Sequence, residues 1–304
     1  MSDSLSQTSN QRELVEGDNQ KLATEFELGT AVSSDGTQIA TYRLVNPGKP
    51  WLIMVHGYPD DHSVWLPLVA QLKEHYSIGL YDTRGAGASG KPAAISSYQL
   101  GQLANDLWAA SEVICPSESF YLIGHDWGSI QAWEPVCEAR FSQKLLGFTS
   151  ISGPCLDHVG RLGRDSNTPP KQTITQLLSS WYIAFFHLPV LPELLIQRIE
   201  SYFPKISKKP NQASFLSDAQ HGIKLYRANM IQRLALPRKL KAVCPVHVIL
   251  MTRDAYVKPY TYRDLDKLAS NNRVSEFDAE HWGIYTHPVP LAPIVRQGFA
   301  EMSR

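Results

Sequence analysis

Asp126 stands at the centre of Gly124-His125-Asp126-Trp127-Gly128, directly after the apolar run FYLI. A strand that enters G-x-Nu-x-G and leaves as a helix has the form of a nucleophile elbow. Small residues flank a strained turn there and lift the central side chain into a pocket. The central residue is Asp rather than Ser or Cys. A carboxylate needs no base to activate it, and its attack makes an ester at an alkyl carbon rather than an acyl transfer. The expected substrates therefore offer an electrophilic sp³ carbon, as epoxides and alkyl halides do. The competing reading is an Asp that only caps the following helix.

Other residues fit around that nucleophile. His56-Gly57-Tyr58-Pro59 follows the apolar run WLIMV. An elbow of this kind forms its oxyanion hole from the N–H after the nucleophile and an N–H in the loop after the third strand. Trp127 and Tyr58 are the matching amides, and Pro59 is expected to make a cis or otherwise rigid turn. Acid and base should follow the nucleophile in that order. Asp254 comes just after PVHVILMT, and His281 lies in Asp278-Ala-Glu-His281-Trp-Gly. An imidazole can deprotonate water near neutral pH, and a carboxylate behind it fixes the tautomer. Asp157 is the chief rival for the acid. Asp82-Thr-Arg-Gly-Ala-Gly-Ala-Ser89 reads as scaffold.

The elements that must hold these residues alternate. WLIMVHG (51–57), YSIGLYD (76–82), FYLIGHD (120–126), LLGFTSIS (145–152) and PVHVILM (245–251) read as buried strands, with a last one near 273–277. Near-continuous apolar runs suit a sheet covered on both faces, hence parallel. Helices are expected near 62–74, 97–114 and 128–140, giving right-handed βαβ crossovers and a mostly parallel, doubly wound α/β sheet. Residues 155–236 show no strand pattern but helical spacing in ITQLLSSWYIAFF and GIKLYRANMIQRL. They are expected to form a helical cap inserted into a core of 25–154 and 237–304, over the sheet edge where ligands bind. Residues 1–24 are expected to be a mobile tail.

Bulk properties narrow the function classes. The chain has 304 residues, with 43% apolar and 19% charged. Lys plus Arg and Asp plus Glu number 29 each, so no charge excess points to nucleic acid or an anionic membrane. The polar start lacks the apolar segment of a secretory signal, and no apolar run is long enough to span a bilayer. Cys115, Cys137, Cys155 and Cys244 are scattered, with no CxxC and no His at ligand spacing, which argues against zinc or a disulfide framework. A cytoplasmic monomer or homodimer, using no metal or organic cofactor, is expected.

HGYPD, DTRGAGASG, GHDWGS, TRDAYV and EHW together resemble the epoxide hydrolase and haloalkane dehalogenase branch of the α/β-hydrolases, over nearly the whole chain after residue 25. GHDWGSIQAWE, SISGPCLDHVG and YRANM are most similar to the hydrolase half of mycobacterial proteins that fuse an epoxide hydrolase to a short-chain dehydrogenase. The resemblance covers the hydrolase half only, so it carries no expectation of dehydrogenase chemistry. The resemblance implies an α/β-hydrolase fold and cap tyrosines that protonate the leaving epoxide oxygen; Tyr182 and Tyr226 match those positions. A phenol, with a pKa of about 10, keeps the proton that this step needs. It implies a small-molecule epoxide and water as reactants, with a lean towards a lipophilic substrate from Phe185, Phe186, Leu188, Val190 and Leu191. Glu280 stands where the family usually has Gly, and an inward carboxylate there would raise the His281 pKa. Dehalogenation is the runner-up: Trp127 matches one halide donor, but the usual second position is Tyr58. A third reading, of another class, is a non-catalytic binding protein that kept the fold.

Overall fold

The computed structural model describes residues 17–165 and 181–303. Its sheet has eight strands in the order β1-β2-β4-β3-β5-β6-β7-β8. They are β1 Glu27–Val32, β2 Gln38–Leu44, β3 Trp51–Val55, β4 Ser77–Tyr81, β5 Phe120–His125, β6 Leu145–Ile151, β7 Val246–Met251 and β8 Asn272–Phe277. From β4 to β8 all pairings are parallel, while β1 and β2 add antiparallel at one edge. The five long apolar runs and the last strand fall where their sequence pattern puts them. The β1–β2 hairpin is an addition, because its half-exposed ELGTAV and QIATYRL lack the continuous apolar run of a buried strand.

Side chains alternate across the sheet and so build two layers. Leu52, Met54, Ile78, Leu80 and Ile123 pack on one face against α2 (Leu66–Leu72) and α10 (Pro288–Met302). Trp51, Ile53, Val55, Tyr81, Phe120 and Leu122 pack on the other against α3 (Leu100–Ile114) and α4 (Trp127–Val136). From β3 the chain crosses to β4 on one side and then returns to β5 on the other, so β3 and β5 flank the switch point where open α/β sheets bind ligands. A first helix, α1, spans 17–23 and buries Leu22 in the core, so the part of the expected tail that is described is packed rather than loose. Residues 1–16 of that tail lie outside the described residues.

Between β6 and β7 the described residues form only helices and loops: α5 Leu156–Leu162, α6 Trp181–Phe186, α7 Leu191–Ile199, α8 Phe203–Ser207 and α9 Phe215–Ala235. The start of the expected helix, ITQLLSS, lies outside the described residues. α9 packs on α5, α6 and α7 and on the 95–98 turn, so this segment sits over the carboxyl ends of the strands. Among the described residues no helix is long and apolar enough to cross a membrane, and no group of His, Cys, Asp and Glu could hold a metal ion.

Candidate active site

Asp126 follows β5 without a break, at φ 54° and ψ −124°. A left-handed turn on a residue with a Cβ is strained, which the elbow imposes through close backbone packing. A Cβ on Gly128 would lie 2.0 Å from the Val55 carbonyl oxygen, and one on Gly124 would meet the Gly128 oxygen at 2.6 Å. The glycines of the motif are thus required by β3 and α4 pressing on the turn. The Asp126 carboxylate makes no capping bond to α4, so the helix-cap reading fails. Instead Oδ1 accepts the Tyr58 N–H at 2.7 Å. Gly57 allows this approach, since a Cβ there would stand 2.5 Å from the Asp126 Cβ and Oδ1.

The loop carrying Tyr58 is held from behind. His56 Nδ1–H donates to the Gly57 carbonyl at 2.9 Å, and its Nε2 accepts the Thr83 N–H at 2.9 Å. The Tyr58–Pro59 bond is cis. Asp82 and Arg84 are buried in their own networks, Asp82 with Tyr42, His62 and the Ala88 N–H, and Arg84 with Asp106 and Asp35. That segment is scaffold, as its sequence suggested. Trp127 opens α4, where first-turn N–H groups have no intrahelical acceptor.

Asp254 and His281, the expected acid and base, follow adjacent parallel strands. The Thr252 N–H donates to Phe277 O at 2.9 Å and the Arg253 N–H to Ala279 O at 3.1 Å, extending the β7–β8 pairing into both loops. His281 Nδ1 lies 2.9 Å from Asp254 Oδ2, and Nε2 lies 3.5 Å from Asp126 Oδ2. Asp254 Oδ1 accepts the Tyr256 and Val257 N–H groups at 2.7 and 3.1 Å. Burial opposes charge on both partners, yet their attraction wins: Asp254 is held well below the usual carboxylate range. His281 is pushed up to about 10, by Asp254 first and Asp126 after it. Asp157, the rival acid, is instead paired with Arg238 at 2.8 Å. Glu280 turns outward to an exposed ion pair with Lys208 at 2.6 Å, so it does not bear on His281.

The two tyrosines meet over this centre. Tyr182 and Tyr226 stand edge to face with centroids 6.0 Å apart, and Tyr226 packs on the Trp127 ring at 4.8 Å. Burial raises the pKa of both phenols, and the Asp126 charge raises each further, so both remain protonated. Two cavities share Asp126, Tyr182, Tyr226 and Tyr256: one of about 890 Å³ bounded by Ile130, Val159 and Met230, and one of about 470 Å³ bounded by Phe186, Leu195 and Phe215. Sequence reasoning missed Tyr256, whose ring lies 4.9 Å from His281, and His125, whose Nε2–H donates to the His281 carbonyl at 2.9 Å. Burial, and then the His281 charge, lower the His125 pKa to about 4, so it is neutral. Their positions beside the acid and the nucleophile were the available signal.

Comparison with known proteins agrees on the fold. A family model described as alpha/beta hydrolase fold matches residues 50–179. The "Probable oxidoreductase EphD" of Mycobacterium tuberculosis is 32% identical over 292 residues, covering 89% of this chain and 49% of that protein. "Epoxide hydrolase 3" of Xenopus tropicalis is 30% identical over 175 residues, covering 58% of this chain and 43% of that protein. The chain spans about half the length of the curated relatives it matches. Among solved structures, epoxide hydrolases from hot-environment metagenomes superpose with TM-score 0.73 at 20% identity, covering 90% of this chain and 98% of that one. An inhibitor complex of the Bacillus megaterium epoxide hydrolase gives 0.71 at 18%, covering 90% of this chain and 100% of that one. The resemblance carried by the motifs is borne out.

Proposed function

We propose, for a chain whose fold is that of the α/β-hydrolases, that it opens a lipophilic epoxide to a vicinal diol through an ester on Asp126. The observation that carries this reading is one carboxylate served from both sides. Its Oδ1 takes the Tyr58 N–H, its Oδ2 faces His281, and two protonated tyrosines sense its charge from above. The described helices between β6 and β7 act as the cap that brings those tyrosines.

Oδ2 attacks a ring carbon while the carbon–oxygen bond breaks and a tyrosine protonates the departing oxygen. Both phenols keep their protons beside Asp126 and so have an O–H to donate. Esterification removes the Asp126 anion, one of the charges that raise the His281 pKa. His281 then gives up its proton, restoring the phenol, and becomes able to take one from water. Water attacks the ester carbon, and Oδ1 becomes the oxyanion held by the Tyr58 and Trp127 amides. Collapse expels the diol oxygen, which takes the proton from His281, and the water's second proton passes from the Asp126 carboxyl to His281, restoring the starting state. Asp254 steadies the imidazolium throughout.

A dehalogenase would need the Trp127 N–H for the halide, and here the Tyr226 ring packs against the Trp127 ring. A single turnover of an epoxide in heavy-oxygen water tests the reading. One label should enter the Asp126 carboxylate; turnover that leaves this peptide unlabelled would overturn it.

A further inference from the structure

We propose that Asp60 and Lys209 are positioning residues, a buried ion pair through which the helical segment holds the oxyanion loop and the base loop in register. The inference rests on the role proposed for the Tyr58 amide. Lys209 Nζ lies 2.7 Å from Asp60 Oδ1, with side chains only 5% and 1% exposed. The other oxygen, Oδ2, accepts the Trp282 indole N–H at 3.1 Å, so the carboxylate also grips the residue after the base. The Asp60 N–H closes the turn bearing Tyr58 by donating to Gly57 O at 3.1 Å. Gln212, from the same stretch as Lys209, donates to Pro59 O at 2.6 Å.

One carboxylate thus joins three pieces that are far apart in sequence. A buried ion pair adds little stability over an apolar pair of similar shape, whereas loss of one partner strands a buried charge. Its use here is geometric. If Lys209 is not seated, Asp60 is an uncompensated anion beside Trp282, and the 57–60 loop loses its hold. Seating of the helical segment is therefore coupled to the aim of the Tyr58 N–H at Asp126. That amide serves ester hydrolysis most, because the oxyanion forms there, whereas ring opening relies on the tyrosines.

Lys209→Met tests this by two readouts. Hydrogen exchange at the Tyr58 amide is expected to quicken about tenfold or more while β5 amides stay protected. This needs no substrate, so it stands apart from failure of the epoxide reading, which would show as wild-type enzyme that never labels Asp126. With an epoxide that is turned over, kcat is expected to fall about tenfold or more through misalignment alone. KM should fall with it, ester should accumulate on Asp126, and Lys209→Arg should recover most of the rate. If Lys209→Met does not fold, Asp60→Asn/Lys209→Met leaves no stranded charge and should show the same faster exchange. Unchanged Tyr58 exchange in the folded variant, or equal slowing of both half-reactions without ester, would overturn the proposal.

Discussion

Asp126 holds a backbone conformation that costs about 1–3 kcal/mol, and the return on that strain is a carboxylate with one oxygen bound and the other free to react. Its neighbours set the protonation states. His281, with a pKa raised to about 10, holds its proton more tightly folded than unfolded, so protonation favours the folded state. A group with a raised folded pKa contributes fully below its unfolded value and loses that contribution as pH climbs to the folded one. The stability margin of the wild type over His281→Gln is therefore expected to be largest near about pH 6 and to shrink towards pH 10, read from urea midpoints. The tyrosines make a kinetic prediction. Tyr182→Phe or Tyr226→Phe should slow ring opening about tenfold or more, and the double change about a thousandfold, measured as the rate of ester formation. Normal ring opening by the double variant would exclude them as the proton source.

At the scale of elements, the site is a set of loops at the carboxyl ends of β3, β5, β7 and β8, each fixed by its strand pairing. The elbow depends on α4 starting almost against β3. Gly128→Ala would place its Cβ 2.0 Å from backbone that cannot swing aside. It is expected to destabilise the fold by about 3 kcal/mol through overpacking and to abolish activity, as denaturant titration and an epoxide assay would show. Which Asp reaches His281 is set at this scale too. Asp157 also follows a strand, but α5 carries it to Arg238, which also pairs with Glu134 of α4 and so ties α5 to the core.

For the whole molecule, the two apolar cavities that meet at Asp126 define what is expected to bind. Each methylene buried in the larger space of about 890 Å³ is worth about 0.8 kcal/mol, nearly fourfold in kcat/KM. Lengthening a series of aliphatic epoxides should raise kcat/KM by up to that factor per carbon until the cavity is filled. A flat series would remove the lean to lipophilic substrates.

Local signals made much of this legible. Continuous apolar runs gave the parallel strands, G-x-D-x-G gave the elbow, and chain order gave Asp254 and His281, because strand ends and turns are written in short stretches. The β1–β2 hairpin escaped because an edge strand is half exposed and carries no such run. Tyr256, His125 and the Asp60–Lys209–Trp282 cluster escaped for a different reason. Their roles exist only where distant loops converge, and position 60 meets position 282 at the far end of the chain. The sequence by itself therefore determined that an Asp stands at the turn after the third apolar run and that Asp254 and His281 follow it in that order. Only the tertiary structure decided which oxygen of Asp126 is held, which way Glu280 turns, and how large a space lies above, since burial and long-range charge have no local spelling.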